Sequence, residues 1–231
     1  MQPIELLAIL GRGLKEQDGN WFLTRDLEMG NESGMYVKER LPVDDNDQNC
    51  LVGGGKLNLY AGIELCREHS ATLQAVVNAY GERAPYLVAA GGPSESEIAY
   101  DYLSQRFPPT ERPEVIVWPR ERKTGNGRSN TDQEFFNIFC LAIERGYRAV
   151  GFVTVAVHYA RALLMASQHL AKPEFAQLTL QAFVSEAVLL RSNAQKYGSR
   201  LRTLHRSQAF MRTLFREQRG INALLSGTYA T

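Results

Sequence analysis

The sequence predicts an α/β chain, a doubly wound and mostly parallel sheet of five strands with helices on both faces. Three observations predict it. Five short apolar runs recur along the chain, helix-period segments alternate with them, and polar or glycine-rich turns follow them. Strand–helix alternation of this kind specifies a parallel sheet with right-handed crossovers.

The apolar runs span 4–10, 86–90, 115–118, 149–154 and 178–183. Runs this short, bounded by Gly or Pro, suit strands buried on both faces. Helical spacing predicts helices over 57–69, 71–80, 95–106, 131–145, 159–169, 185–196 and 200–218. The 131–145 segment is clearest, with Phe135, Ile138, Phe139 and Ala142 on one face and Gly146 as a left-handed stop. Residues 1–231 read as one domain. Residues 14–50 break the alternation and read as an insertion or lid, in which 20–27 and 35–41 are able to pair. Residues 185–231 read as C-terminal helices packed on the domain.

Composition narrows the function classes. With 44% hydrophobic and 22% charged residues the chain belongs among globular proteins, not disordered ones. A net charge of +1 predicts no polyanionic partner, so nucleic acid is not expected. Basic residues nevertheless gather near the C-terminus, where Glu217 is the single acid between Arg191 and Arg219. Cys50, Cys66 and Cys140 form no CxxC pair, so neither a zinc ribbon nor a disulfide framework is expected. The opening MQPIELLAIL lacks a basic leader and no window is long enough for a membrane span, so a cytoplasmic chain is expected. The sequence is compatible with a homo-oligomer.

Ligands of open α/β sheets bind beyond the carboxyl ends of the strands, so the turns there hold the candidate site. The first is Gly11-Arg12-Gly13, where glycines allow close approach and Arg12 meets an anion. A plain turn is the competing explanation. Gly53-Gly54-Gly55-Lys56 precedes a helix, and Gly54 and Gly55 are candidates to cradle phosphate. It is not a Walker A motif, since Cys50 and Leu57 stand where Gly and Ser/Thr belong, and GxGxxG is absent because Glu16 replaces its last Gly.

Gly91, Gly92, Ser94 and Glu95 follow the second run. Ser94 with Glu97 spells a capping box, which leaves Glu95 as the candidate for the ligand. Ser129, Asn130 and Thr131 precede or open a helix, where hydroxyls, an amide and the dipole hold an anion. Thr131 and Glu134 spell a second capping box. Thr154, His158 and Arg161 close the fourth run, and an imidazole one turn from a guanidinium suits acid/base work or oxyanion binding. The other three histidines, His69, His169 and His205, read as packing or surface residues. No His/carboxylate spacing supports a transition-metal site.

In order, AILGRG, LVAAGGPSESE, RSNTDQE and VTVAVHYARA resemble the YdcF/SanA/ElyC-like family, the domain of unknown function 218. The resemblance covers about residues 4–170, and the VT…H…RA block is its most specific part. Glu121, Thr124 and Asn126 offer a second register for the Ser/Asn/Thr motif, and Gln133-Glu134 departs from the family's Glu-Asn pair. The resemblance implies a Rossmann-like domain and, from one soluble relative, S-adenosylmethionine as a cofactor, while the site residues themselves point to a nucleotide-like ligand. Three functions follow as expectations. One is a transferase or hydrolase for a small anionic ligand, with His158 and Glu95 as reacting groups. Another is a non-catalytic cofactor-binding regulator. The third is an interaction module using the basic C-terminal helices, against which stands a helix packed on the domain with a solvated basic face.

Overall fold

The computed structural model describes residues 3–30, 43–78, 93–108, 110, 112–117 and 131–229. Its centre is a five-stranded parallel sheet. In chain order the sheet strands are β1 (Leu6–Ile9), β6 (Ala75–Asn78), β7 (Glu114–Ile116), β8 (Ala149–Thr154) and β9 (Thr179–Val184). They lie side by side as β7-β6-β1-β8-β9, every neighbour parallel. The chain winds outward from β1 in one direction and, after β8, in the other. The order reverses between β1 and β8, and in such sheets the ligand crevice opens at that reversal.

Side chains alternate across each strand and feed two cores. Leu7, Ile9, Val76 and Val153 pack under α1 (Gly55–Glu68), α2 (Glu95–Ser104) and α5 (Ser185–Arg206). Leu6, Ala8, Val77, Val150 and Phe152 face α3 (Thr131–Glu144) and α4 (Ala156–Leu170). Both faces are covered, which is why the strands read as continuous apolar runs rather than alternating ones. The last helix, α6 (Gln208–Leu225), packs on α4.

The structure differs from the sequence reading in places. The second strand is Ala75–Asn78, not a helix over 71–80. Two adjacent β-branched residues, Val76 and Val77, favour the pleated surface, and a four-residue apolar run has no decisive period. The 86–90 run lies outside the described residues, as does Trp118. Residues 20–23 pair with 14–17: β2 (Leu14–Gln17) and β3 (Asn20–Leu23) form a hairpin around Asp18-Gly19, both at positive φ. Asp-Gly is a preferred two-residue turn for that conformation. Segment 35–41 is outside the described residues, and β4 (Leu27–Met29) pairs with β5 (Cys50–Val52).

The C-terminal helices also differ. α5 is two helical segments joined at a kink at Asn193, whose φ/ψ is non-helical and whose Oδ1 accepts from Lys196 N; the second segment runs to Arg206, and α6 starts anew after Ser207. The Ser207 hydroxyl caps it by accepting from Phe210 N. Its buried line is Ala209, Thr213 and Glu217, spaced by four, whereas Met211, Leu214 and Phe215 are exposed. Among the described residues no helix is long and apolar enough to cross a membrane.

Candidate functional site

The carboxyl ends of β1 and β8 deliver Arg12, Thr154, His158 and Arg161 to one edge, and α6 crosses that edge. Glu217 is where they meet. Its carboxylate lies 3.1 Å from Arg12 Nη1, 3.0 Å from His158 Nδ1 and 2.6 Å from Arg161 Nε. The turn after β1 and the first turns of α4 after β8, far apart in sequence, therefore converge on a single buried carboxylate, as segments after parallel strands do at a switch point.

Each partner is fixed by further bonds. Arg12 Nε donates to Gly53 O and Nη2 to Val52 O. Arg161 Nη1 donates to Tyr229 Oη. Thr213, one turn before Glu217, accepts from Val52 N, which ties α6 to β5. Glu95 is buried, and its Oε1 accepts from both Arg12 N and Gly13 N at 2.8 Å. The carboxylate expected to touch a ligand thus straps the Gly11–Gly13 turn, with Gly13 at φ 93. Ser94 and Glu97 form the reciprocal capping box the sequence predicts.

His158 is 1% exposed and bonded through both ring nitrogens. Burial lowers its pKa from the ordinary value, against the raising effect of Glu217, so the ring is neutral near pH 7. Burial opposes ionisation of Glu217, but the His158 hydrogen bond and the two guanidiniums outweigh it and hold the carboxyl far below the usual range. An ionised carboxylate only accepts, so the proton of neutral His158 sits on Nδ1 and points at Glu217. Nε2 is then an acceptor, and Thr131 Oγ1 lies 3.2 Å from it. The hydroxyl donates to the imidazole, and the imidazole donates to the carboxylate.

Thr131 is the first residue of α3 and is partly exposed, so the chain of bonds runs from the surface inward. Asp132 receives His169 Nε2 at 2.8 Å, which locks the start of α3 against α4 on the face that carries His158. That contact gives His169 the packing role expected of it. The Thr131 hydroxyl faces another helix, so the capping-box spelling with Glu134 does not describe its main contact. Thr154 Oγ1 is fully buried on the same side of β8 as Phe152 and has no hydrogen-bond partner among the described residues.

The phosphate cradle at Gly54 and Gly55 is corrected. Gly53 N donates to Asp26 O, Gly54 N to Arg25 O, Gly55 N to Thr24 Oγ1 and Lys56 N to Thr24 O. The segment before β4 fills the cradle that a phosphate would need. Gly54 is glycine because φ is 92 and a Cβ would stand 2.6 Å from Val155 Cγ1. These glycines let α1 approach the start of α4. Gly91, Gly92, Ser129 and Asn130, and the alternative register at Glu121, Thr124 and Asn126, lie outside the described residues.

Glu217 had no place among the residues picked from sequence. Its signal was there, as the one acid in a run of eight basic residues. Comparison with family models, with curated proteins and with solved structures finds no match to this chain.

Proposed function

We propose that the β1/β8 edge binds a small anionic ligand and carries out hydrolysis or group transfer on it, with His158 as the acid/base group. One observation carries this reading: the continuous Thr131–His158–Glu217 hydrogen-bond chain, at the reversal point of a doubly wound sheet. A neutral imidazole, oriented by a carboxylate that stays ionised, accepts a proton at Nε2 and returns it later. Glu217 and Arg12 position it. Arg161 is a fifth exposed in its side chain, and its guanidinium is the cation at hand for the ligand's anionic group.

Arg12, Thr131, His158 and Arg161 belong to the motifs that resemble the YdcF/SanA/ElyC-like family, and we extend the proposal to membership of it. A nucleotide-like cofactor, S-adenosylmethionine included, or a phosphate-linked metabolite fits the ligand class. A cytoplasmic chain fits the reducing environment that three unpaired cysteines prefer.

The test is mass spectrometry of small molecules that copurify with the native chain, then turnover of the identified class by wild type and His158→Asn. Loss of a base of this kind lowers turnover by roughly 10²–10⁴-fold. Equal turnover in the two proteins removes the catalytic part of the proposal. Altered affinity with no turnover in either would favour the regulator instead.

A further inference from the structure

We infer that Thr131 is a nucleophile and that the bond it attacks is a carboxylic ester or thioester, giving an acyl-threonine intermediate. The inference rests on the proposed base role of His158 and adds the attacking atom and the substrate class. A nucleophile is recognised by a hydrogen bond to a base that is itself oriented by a third group. Thr131 Oγ1 to His158 Nε2 is 3.2 Å and His158 Nδ1 to Glu217 Oε2 is 3.0 Å. The base is buried and the hydroxyl is not, so the hydroxyl is the end of the chain that a substrate reaches.

The step balances with the groups present. Thr131 Oγ bonds to the acyl carbon as its proton passes to His158 Nε2. The carbon–heteroatom bond to the leaving group breaks, and His158 returns the proton to that alcohol or thiol. Water then attacks the acyl carbon as His158 takes its proton, the bond to Thr131 Oγ breaks, and His158 returns the proton to that oxygen. The products are the acid and the free hydroxyl. Negative charge on the carbonyl oxygen develops beside the N-terminus of α3, where the leading backbone N–H groups and the helix dipole favour it. Thr154 Oγ1, buried and unpartnered among the described residues, is a further polar group at the same strand end.

Acyl chemistry fits better than phosphoryl chemistry. Transfer of a phosphoryl group relies on cations clamped around three equatorial oxygens. Here every nitrogen of Arg12 faces Glu217, Gly53 O or Val52 O. That leaves Arg161, a fifth exposed beside Glu217, and a single cation is no clamp around three oxygens. The reacting centre of an acyl transfer needs one base and one oxyanion site.

The experiment uses the full chain with two probes, p-nitrophenyl acetate and a fluorophosphonate. Wild type should show a nitrophenolate burst of about one equivalent per chain, as expected of acyl-enzyme accumulation. The fluorophosphonate should form a bond to Thr131 Oγ with loss of fluoride, read as a mass increase on the peptide containing Thr131. Thr131→Val, which keeps the volume, should lose both signals, Thr131→Ser should restore them, and His158→Asn should slow the burst by at least ~100-fold. A label on another residue, or a burst that survives in Thr131→Val, would overturn the inference. If Thr131→Val turns over the copurified ligand class as wild type does while His158→Asn does not, water is the nucleophile: the inference falls and the proposed function stands. If neither variant changes turnover, both fall. A phosphorylated Thr131 after incubation with p-nitrophenyl phosphate, in place of the acetylated residue, would overturn the acyl assignment.

Discussion

Glu217 holds a charge where burial alone would neutralise it, because two guanidiniums and one imidazole N–H surround it. Removing one partner of such a group leaves the others unpaired inside the protein, a loss of roughly 3–5 kcal/mol. Glu217→Ala should lose that much by urea denaturation, and Glu217→Gln, which keeps the shape, should lose less. Equal stability of Glu217→Ala and wild type would mean that water re-satisfies both arginines. The same residues set the acid response. His158 titrates below its ordinary ~6.5 in the folded chain, so its contribution is full above ~6.5 and is lost as pH falls from there. Glu217 has the same sign lower on the scale, contributing above ~4.3 and losing it as pH falls toward its folded value. His205 runs the other way. Its hydrogen bond with Glu186 raises its pKa, so its contribution is full below ~6.5 and lost as pH rises through the folded value. Denaturation at pH 5, 6 and 7 should therefore show stability falling with acid. His158→Asn should flatten that slope and His205→Asn should steepen it. An unchanged slope in His158→Asn would refute a buried neutral imidazole.

At the scale of elements, α6 turns a polar line inward and apolar residues outward, the reverse of an ordinary surface helix. Its Gly220 lies against Arg161, where a Cβ would stand 2.9 Å from Cδ and 3.2 Å from Nη1. Gly198 in α5 has room, with its nearest neighbour, Leu190 Cδ2, at 3.9 Å. Gly198→Ala should gain about 0.4–1 kcal/mol from backbone entropy. Gly220→Ala should not gain, because it moves the Arg161 guanidinium off Glu217, and it should lower turnover at the edge. Equal stabilisation of both variants would show that Arg161 is free to shift. The inverted face also explains what was legible in sequence. Strands over 149–154 and 178–183 were readable to within a residue, since strands buried on both faces are apolar throughout. The Ala75–Asn78 strand was not, because four residues fit either period. Arg12, Thr131, His158 and Arg161 were found by their place after strands. Glu217 was missed because a strand-end search does not look inside a helix, and a carboxylate at spacing 209, 213, 217 follows the polar residues, not the apolar stripe. The glycines at 53–55 misled because a turn that donates to a phosphate and one that donates to its own chain have the same sequence. What separates them is a partner 24–26 segment that only the fold brings near.

The whole molecule closes on itself through a pair 205 residues apart, Arg12 after the first strand and Glu217 in the last helix. A contact of that span couples the first sheet turn to the helix that crosses the edge, and the coupling is measurable by a double-mutant cycle. Arg12→Met, Glu217→Gln and the double variant form the buried cycle. Arg191→Met, Glu68→Gln and their double variant form the exposed one, a pair with the arginine side chain 51% exposed. Arg12→Met also removes the bonds to Gly53 O and Val52 O, but it does so in both arms of the cycle, so that loss cancels. Glu217→Gln keeps the volume and leaves Arg161 and His158 in place, so the cycle reports the Arg12–Glu217 term. The buried cycle should give an interaction energy of about 1–3 kcal/mol, within the range for residues in one ionic network. The exposed cycle should give ~0.2–1 kcal/mol, because water screens the charges and holding two long side chains together costs entropy. The two cycles should also part with salt. Raising ionic strength should erode the exposed term and leave most of the buried one. Equal interaction energies, or equal loss in salt, would mean that the carboxylate at the edge is solvated. The Thr131–His158–Glu217 chain would then lack the fixed anchor that keeps its imidazole proton on Nδ1.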